Sequence, residues 1–285
     1  MPRSVTMRVW RGDASGGDFH DYQVDAEEGE VVLDVLHRIQ ARQANDLAIR
    51  WNCKAGKCGS CSAEVNGFPR LTCMTRMSSF RPGETITVSP MRTFPIVKDL
   101  VTDVSFNYEM AKRVPPFRPQ PKDPDGTYRM QQEDIERVQE FHKCIECFLC
   151  QDVCHVIRDH PDNAQHFAGP RMFIRYAELE MHPLDTNERS NLLQERMGLG
   201  FCNITKCCTE VCPESIHITD NAIIPLKERV ISKRYDPVTR LRERMRERRL
   251  QRERQGSVPE RTRERRARSV GDAVRGGSSS GTGSD

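Results

Sequence analysis

The sequence predicts an α+β chain: a small strand-and-helix domain over residues 1–105, an all-α domain over 106–235 and a basic tail over 236–285. Three observations carry this reading. Strand-period alternation is confined to the first third of the chain. A proline-rich stretch, VPPFRPQPKDPDG (114–126), divides it from a region whose apolar residues recur at helical spacing. Finally, 12 cysteines fall in tight groups on both sides of that divide. With 36% hydrophobic and 6% aromatic residues the core is thin, so something besides apolar burial helps hold the fold.

In the first domain VTMRVW (5–10) alternates and FHDYQVDA (19–26) can pair with it. Val31, Val32, Val35, Leu36 and Ile39 then lie on one helical face. SAEVNGFPRLTC contains Asn66-Gly67, a strong hairpin signal, and ETITVSP reads as a further strand. The proline-rich stretch reads as a linker wrapping between domains. Beyond it, residues 134–142, 170–182, 188–197 and 220–234 are helical by period and composition. After Asp236 come RLRERMRERRLQRERQ, with little apolar stripe, and a Gly/Ser-rich end, so the tail is expected to be solvated or disordered. Its 14 arginines against 8 acidic residues, in a chain of net charge +3, leave the body before it mildly acidic.

The N-terminus lacks the apolar run of a signal peptide, and nowhere do eighteen apolar residues run together, so a cytoplasmic protein without a membrane span is expected. In a reducing compartment, closely spaced cysteines are expected to be metal ligands and not disulfides. The chain has neither a G-x-G-x-x-G fingerprint nor a G-x4-GK[ST] loop, so no nucleotide or flavin site is expected on it.

Cys53, Cys58, Cys61 and Cys73 follow the plant-type C-x4-C-x2-C…C spacing of a [2Fe-2S] site. Gly56 and Gly59 let that loop curl so that N–H groups face the sulfurs. A zinc site would favour two separated C-x2-C pairs. The second group, Cys144-x2-Cys147-x2-Cys150-x3-Cys154, is the bacterial ferredoxin run, in which the fourth cysteine ligates the other cluster. The third, Cys202, Cys208 and Cys212-Pro213, keeps the same register except that Thr205 replaces the second cysteine.

Cross-ligation assigns Cys144, Cys147, Cys150 and Cys212 to a [4Fe-4S] cluster, and Cys154, Cys202 and Cys208 to the other. Thr205 offers no soft thiolate, which points to [3Fe-4S] at that second site. The rival explanation is that Cys207 supplies the missing ligand; its adjacency to Cys208 weighs against it. Four histidines, His155, His160, His166 and His217, lie near these motifs without metal-ligand spacing and read as ordinary polar residues.

Together these motifs, over residues 5–235, resemble the iron-sulfur subunit of succinate dehydrogenase and fumarate reductase. The resemblance implies an N-terminal β-grasp domain of plant-type ferredoxin and an α-helical ferredoxin domain with [4Fe-4S] and [3Fe-4S] clusters. It also implies electron transfer from the FAD of a flavoprotein subunit to a quinone held by membrane-anchor subunits, with haem b as an option on the anchors. No succinate site or catalytic residue is expected on this chain, and nucleic acid is not an expected partner. The place implied is the cytoplasmic face of the inner membrane, as a peripheral subunit.

Relatives border the quinone with the residues that correspond to His155, Asn203 and Thr205. Ubiquinone-type members have proline and paired tryptophans after the first motif, whereas this chain reads CHVIRDH, and where they often carry histidine it has Asn203. The difference favours menaquinone. By analogy the flavoprotein would meet the face around Gly56–Ser60. The alternatives are fumarate reduction along the same route, a heterodisulfide-reductase-like or glycolate-oxidase-like subunit, which would keep two full cubane motifs, and a zinc-stabilised nucleic-acid binder.

Overall fold

The structure is a computed structural model that describes residues 3–238, 240–242, 244, 245 and 248. Its first half is a mixed seven-stranded sheet gripping one helix. Strands β1 (Arg3–Asp13) and β2 (Gly16–Ala26) form an antiparallel hairpin; helix α1 (Val32–Arg42) follows. Then come β3 (Ser62–Val65), β4 (Phe68–Leu71), β5 (Ile86–Ser89), β6 (Ile96–Lys98) and β7 (Val101–Thr102). The order is β4-β3-β5-β1-β6-β7, with β2 also on β1. Among the described strands only β1 and β5 are parallel, through Met7–Val9 and Ile86–Val88. This is the β-grasp arrangement expected, and the α+β class stands.

Each element follows from its residues. Alternate positions Val5, Met7 and Val9 of β1 are buried, and Val32, Leu33, Val35, Leu36 and Ile39 of α1 meet the sheet as one apolar stripe. The β3–β4 turn places Asn66 and Gly67 at φ +51° and +78°, the pair of left-handed residues a tight hairpin requires. Strands β6 and β7 went unforeseen. They are three and two residues long, too short for a period to register.

The second half is helical: α2 (Ser105–Lys112), α3 (Gln132–Gln139), α4 (Leu149–Asp152), α5 (His155–Arg158), α6 (Pro170–Glu180), α7 (Ser190–Glu195), α8 (Cys207–Glu210) and α9 (Ile224–Tyr235). A π-helical turn, Ile218–Ile223, leads into α9. The four expected helical stretches coincide with α3, α6, α7 and the 218–235 run. Helix α2 starts where the first domain was expected to end, and its Met110 packs into the helical core.

The proline-rich stretch lies against this second half. The fully buried Arg189 donates to the carbonyls of Pro115 and Pro116 and to Asp185 Oδ2 at 2.7 Å, so one guanidinium holds the strap down. Described residues between 237 and 248 are helical and exposed; the rest of the expected tail lies outside the described residues.

One apolar cluster joins the two halves: Leu33, Leu71, Met91 and Phe94 from the sheet side with Phe148 and Leu149 from the helical side. Polar contacts stitch the same seam, with Ser62 Oγ donating to Cys147 O at 2.8 Å and Thr93 N donating to Asp152 Oδ1 at 3.2 Å. No described helix is long and apolar enough to cross a membrane.

Candidate functional site

None of the 12 cysteines is in a disulfide, and the fold gathers eleven of them into three groups. The first sits on the loop between α1 and β3, with Cys73 just after β4. The Cys53 sulfur faces the N–H groups of Ala55 and Lys57 at 3.4 and 3.3 Å, and the Cys58 sulfur faces the Cys53 N–H at 3.5 Å. Positive φ at Lys54, Gly56 and Gly59 turns successive amides inward, the nest that favours anionic sulfur.

Burial opposes the Cys58 thiolate, but hydrogen bonds from Ser60 and the Cys53 backbone outweigh it and hold the thiol down at about 6. Cys73 is pushed the other way, up to about 12, by burial first and then by Cys61 and Cys53. Gly59 has a second duty. A Cβ there would meet the backbone of Cys147 at 2.6 Å and Ile145 O at 2.8 Å, so the loop sits directly on the first cubane motif. Within the expected docking face, Gly56 and Gly59 are buried and Lys57 is exposed, and the exposure of the loop extends over Cys53–Ala55.

The second group lines one small cavity with Cys144, Cys147 and Cys150 from the first motif and Cys212 from the second. This is the set that cross-ligation predicts from sequence. Burial pushes Cys147 up to about 12 and Cys150 well above the ordinary thiol range.

In the third group Cys154, at the end of the first motif, is raised to about 12 by burial, with the Cys207 and Cys208 sulfurs adding to it. Cys208 is raised to about 11 by burial, against a hydrogen bond with the Thr219 hydroxyl 3.5 Å away; Cys207 and Cys202 add to the rise. Lys227 on α9 donates to Cys202 O at 2.6 Å and ties that cysteine to the helical core.

The two ferredoxin runs share one backbone form. In the first, Glu146 and Phe148 are left-handed, at φ +55° and +61°, and α4 starts at Leu149. In the second, Ile204 and Lys206 are left-handed, both at φ +63°, and α8 starts at Cys207. Thr205 therefore stands where Cys147 stands, Cys208 where Cys150 stands, and Cys207 where the non-ligating Leu149 stands.

Around this third group, Thr205 Oγ1 lies 3.4 Å from His155 Nδ1 and 3.4 Å from Cys207 Sγ, and His155 Nε2 is buried without a partner among the described residues. Asn203 is exposed on the same loop, flanked by the exposed apolar side chains of Phe201 and Ile204. His217 donates its backbone N–H to Glu140 Oε1, and its Nδ1 lies 2.7 Å from the same oxygen, a structural clasp. Sequence reasoning missed Arg171, whose buried side chain lines the second cavity.

Among the described residues no three His, Cys, Asp or Glu side chains gather as the ligands of one metal ion. The fit to iron-sulfur clusters rests on the number and grouping of the thiols. A buried thiol held above its ordinary range releases its proton to solvent when a bound cation stabilises the thiolate, as iron would. Cys53, Cys58, Cys61 and Cys73 would hold the first cluster and Cys144, Cys147, Cys150 and Cys212 the second.

The chain is similar to known proteins. Residues 6–109 match the family described as 2Fe-2S iron-sulfur cluster binding domain, and residues 140–216 match the 4Fe-4S dicluster domain. The fumarate reductase iron-sulfur subunit of Mycobacterium tuberculosis is 31% identical over 71% of this chain and 82% of its own length. A mitochondrial succinate dehydrogenase [ubiquinone] iron-sulfur subunit from Oryza sativa is 30% identical over 75% of this chain and 78% of its own. A chain of the Mycobacterium smegmatis Sdh1 complex in the apo form superposes with TM-score 0.81 at 64% identity, over 84% of this chain and 100% of that one.

Proposed function

This chain belongs to the iron-sulfur subunits of succinate dehydrogenase and fumarate reductase, and from that premise we propose that it links a FAD-bearing flavoprotein to menaquinone in a succinate:quinone oxidoreductase. One observation carries the reading. Three thiol groups lie in series: Cys61, Cys73 and Cys147 share the apolar cluster at the seam, while Cys150, Cys154 and Cys208 share the helical core. The middle group thus shares one cluster with the first group through Cys147 and the other with the third through Cys150. When bound, [2Fe-2S], [4Fe-4S] and [3Fe-4S] clusters supply one-electron carriers that no side chain here can replace.

The protein's part is placement. Gly59 and Ser62 fix the first group on the second, and Cys154 and Cys212 exchange places between the second and third, so the spacing cannot drift. Cys154, Cys202 and Cys208 would hold the third cluster, with Thr205 in the backbone place that Cys147 takes in the first run. Exposed Cys53–Ala55, beside half-exposed Trp51, would meet the flavoprotein. His155, Asn203 and Thr205, among exposed Phe201 and Ile204, would face the quinone and the membrane-anchor subunits, haem b being an option of the family pattern on those anchors. The chain would then sit as a peripheral subunit on the cytoplasmic face of the inner membrane, with no succinate-binding residue of its own.

Succinate oxidation is the proposed direction, supported by the 64% identity to a chain of an Sdh1 complex against 31% to the fumarate reductase subunit. Membranes carrying the complex should reduce a naphthoquinone analogue with succinate faster than a ubiquinone analogue, and Cys58→Ser should abolish both rates. A preference for ubiquinone would reject the menaquinone assignment; succinate-dependent activity that survives Cys58→Ser would reject the route.

A further inference from the structure

Arg171 is the second residue of α6, directly after Gly169-Pro170, and it is only 8% exposed. A cation in the first turn meets the positive end of the helix, and burying it there adds a desolvation cost. One partner is visible: Arg171 Nη2 donates to Glu146 Oε1. Glu146 is 48% exposed, so water screens much of its charge. Arg171 Nε is buried with no partner among the described residues, while the side chain lines the same cavity as Cys144, Cys147, Cys150 and Cys212. A buried cation with a spare N–H, on a cavity that four thiols also line, is placed to act on whatever charge that cavity encloses.

We propose that the Arg171 guanidinium raises the reduction potential of the second site, by offsetting the additional negative charge that the reduced state carries. The inference rests on the four-thiol assignment proposed above. Charge near a cluster and hydrogen bonds to its sulfurs are among the main controls of potential, and a fixed cation favours the more negative state. Arg171 is a positioning residue in this scheme; it moves no electron itself.

The test is a redox titration of the purified complex followed by electron paramagnetic resonance. At the potential where the wild-type four-iron cluster is half reduced, Arg171→Gln should raise its oxidised-to-reduced ratio about tenfold, equivalent to about 59 mV for one electron. Arg171→Lys, which keeps the charge, should stay within about threefold of wild type, and the first and third clusters should not move. Glu146→Gln should shift the four-iron cluster the opposite way, because it frees the guanidinium from its carboxylate. An unchanged Arg171→Gln, or an equal shift in Arg171→Lys, overturns the proposal. Should Arg171→Gln assemble no cluster, the charge-balanced Arg171→Gln/Glu146→Gln variant decides: an oxidised-to-reduced ratio above that of Glu146→Gln alone supports the proposal and an equal ratio overturns it. Absence of any four-iron signal from the wild-type protein would instead reject the ligand set itself.

Discussion

Thr205 holds in the second ferredoxin run the place that Cys147 holds in the first, and the matching left-handed residues on either side make this a statement about backbone, not only about spacing. A cysteine put there should therefore act as a ligand. Thr205→Cys is expected to abolish the oxidised-state three-iron resonance, produce a second four-iron signal on reduction and raise iron content by about one atom per chain. Cys207→Ser should leave the spectra as they are, since Cys207 occupies the place of Leu149; a lost signal would make Cys207 a ligand. Residues of this kind were legible because a ligand set is written in the local chain. Arg171 was not, because its meaning depends on a cavity built from Cys144 and Cys212, far from it in sequence.

The loop between α1 and β3 and the proline strap show what elements contribute. Gly59 combines φ +68° with a Cβ position only 2.6 Å from Cys147 Cα, so Gly59→Ala must both strain the loop and push the two halves apart. The expected cost is on the order of 2–4 kcal/mol, from overpacking plus the left-handed backbone, read as a lowered unfolding temperature with slower electron delivery from the first cluster to the second. Arg189→Met should cost about 3–5 kcal/mol, because Asp185 and Glu180 stay buried beside a lost cation and the strap carbonyls lose their donor. Thermal unfolding that matched wild type would remove Arg189 from its role. Helices with a clear apolar stripe, such as α1 and α6, were readable from their period. Strands β6 and β7 and helices α4, α5 and α8 were not: they run four residues or fewer and, unlike the equally short β3, β4 and β5, carry neither an Asn-Gly turn nor a clear alternation to mark them.

At the scale of the whole molecule the seam matters most, because it puts the first and second thiol groups into one apolar cluster while the ferredoxin runs interleave the second and third. The order of the three motifs was visible in sequence; their contact was not, since it is made between Gly59 and Cys147 across the two halves. The measurement that bears most directly on this arrangement is electron paramagnetic resonance of the anaerobically purified complex, oxidised and then reduced in steps. The expected result is a three-iron signal in the oxidised sample, followed on reduction by separate [2Fe-2S] and [4Fe-4S] signals broadened by their neighbours. A silent oxidised sample that yields two four-iron clusters on reduction would contradict the account, and Cys207 would then have to be the missing ligand.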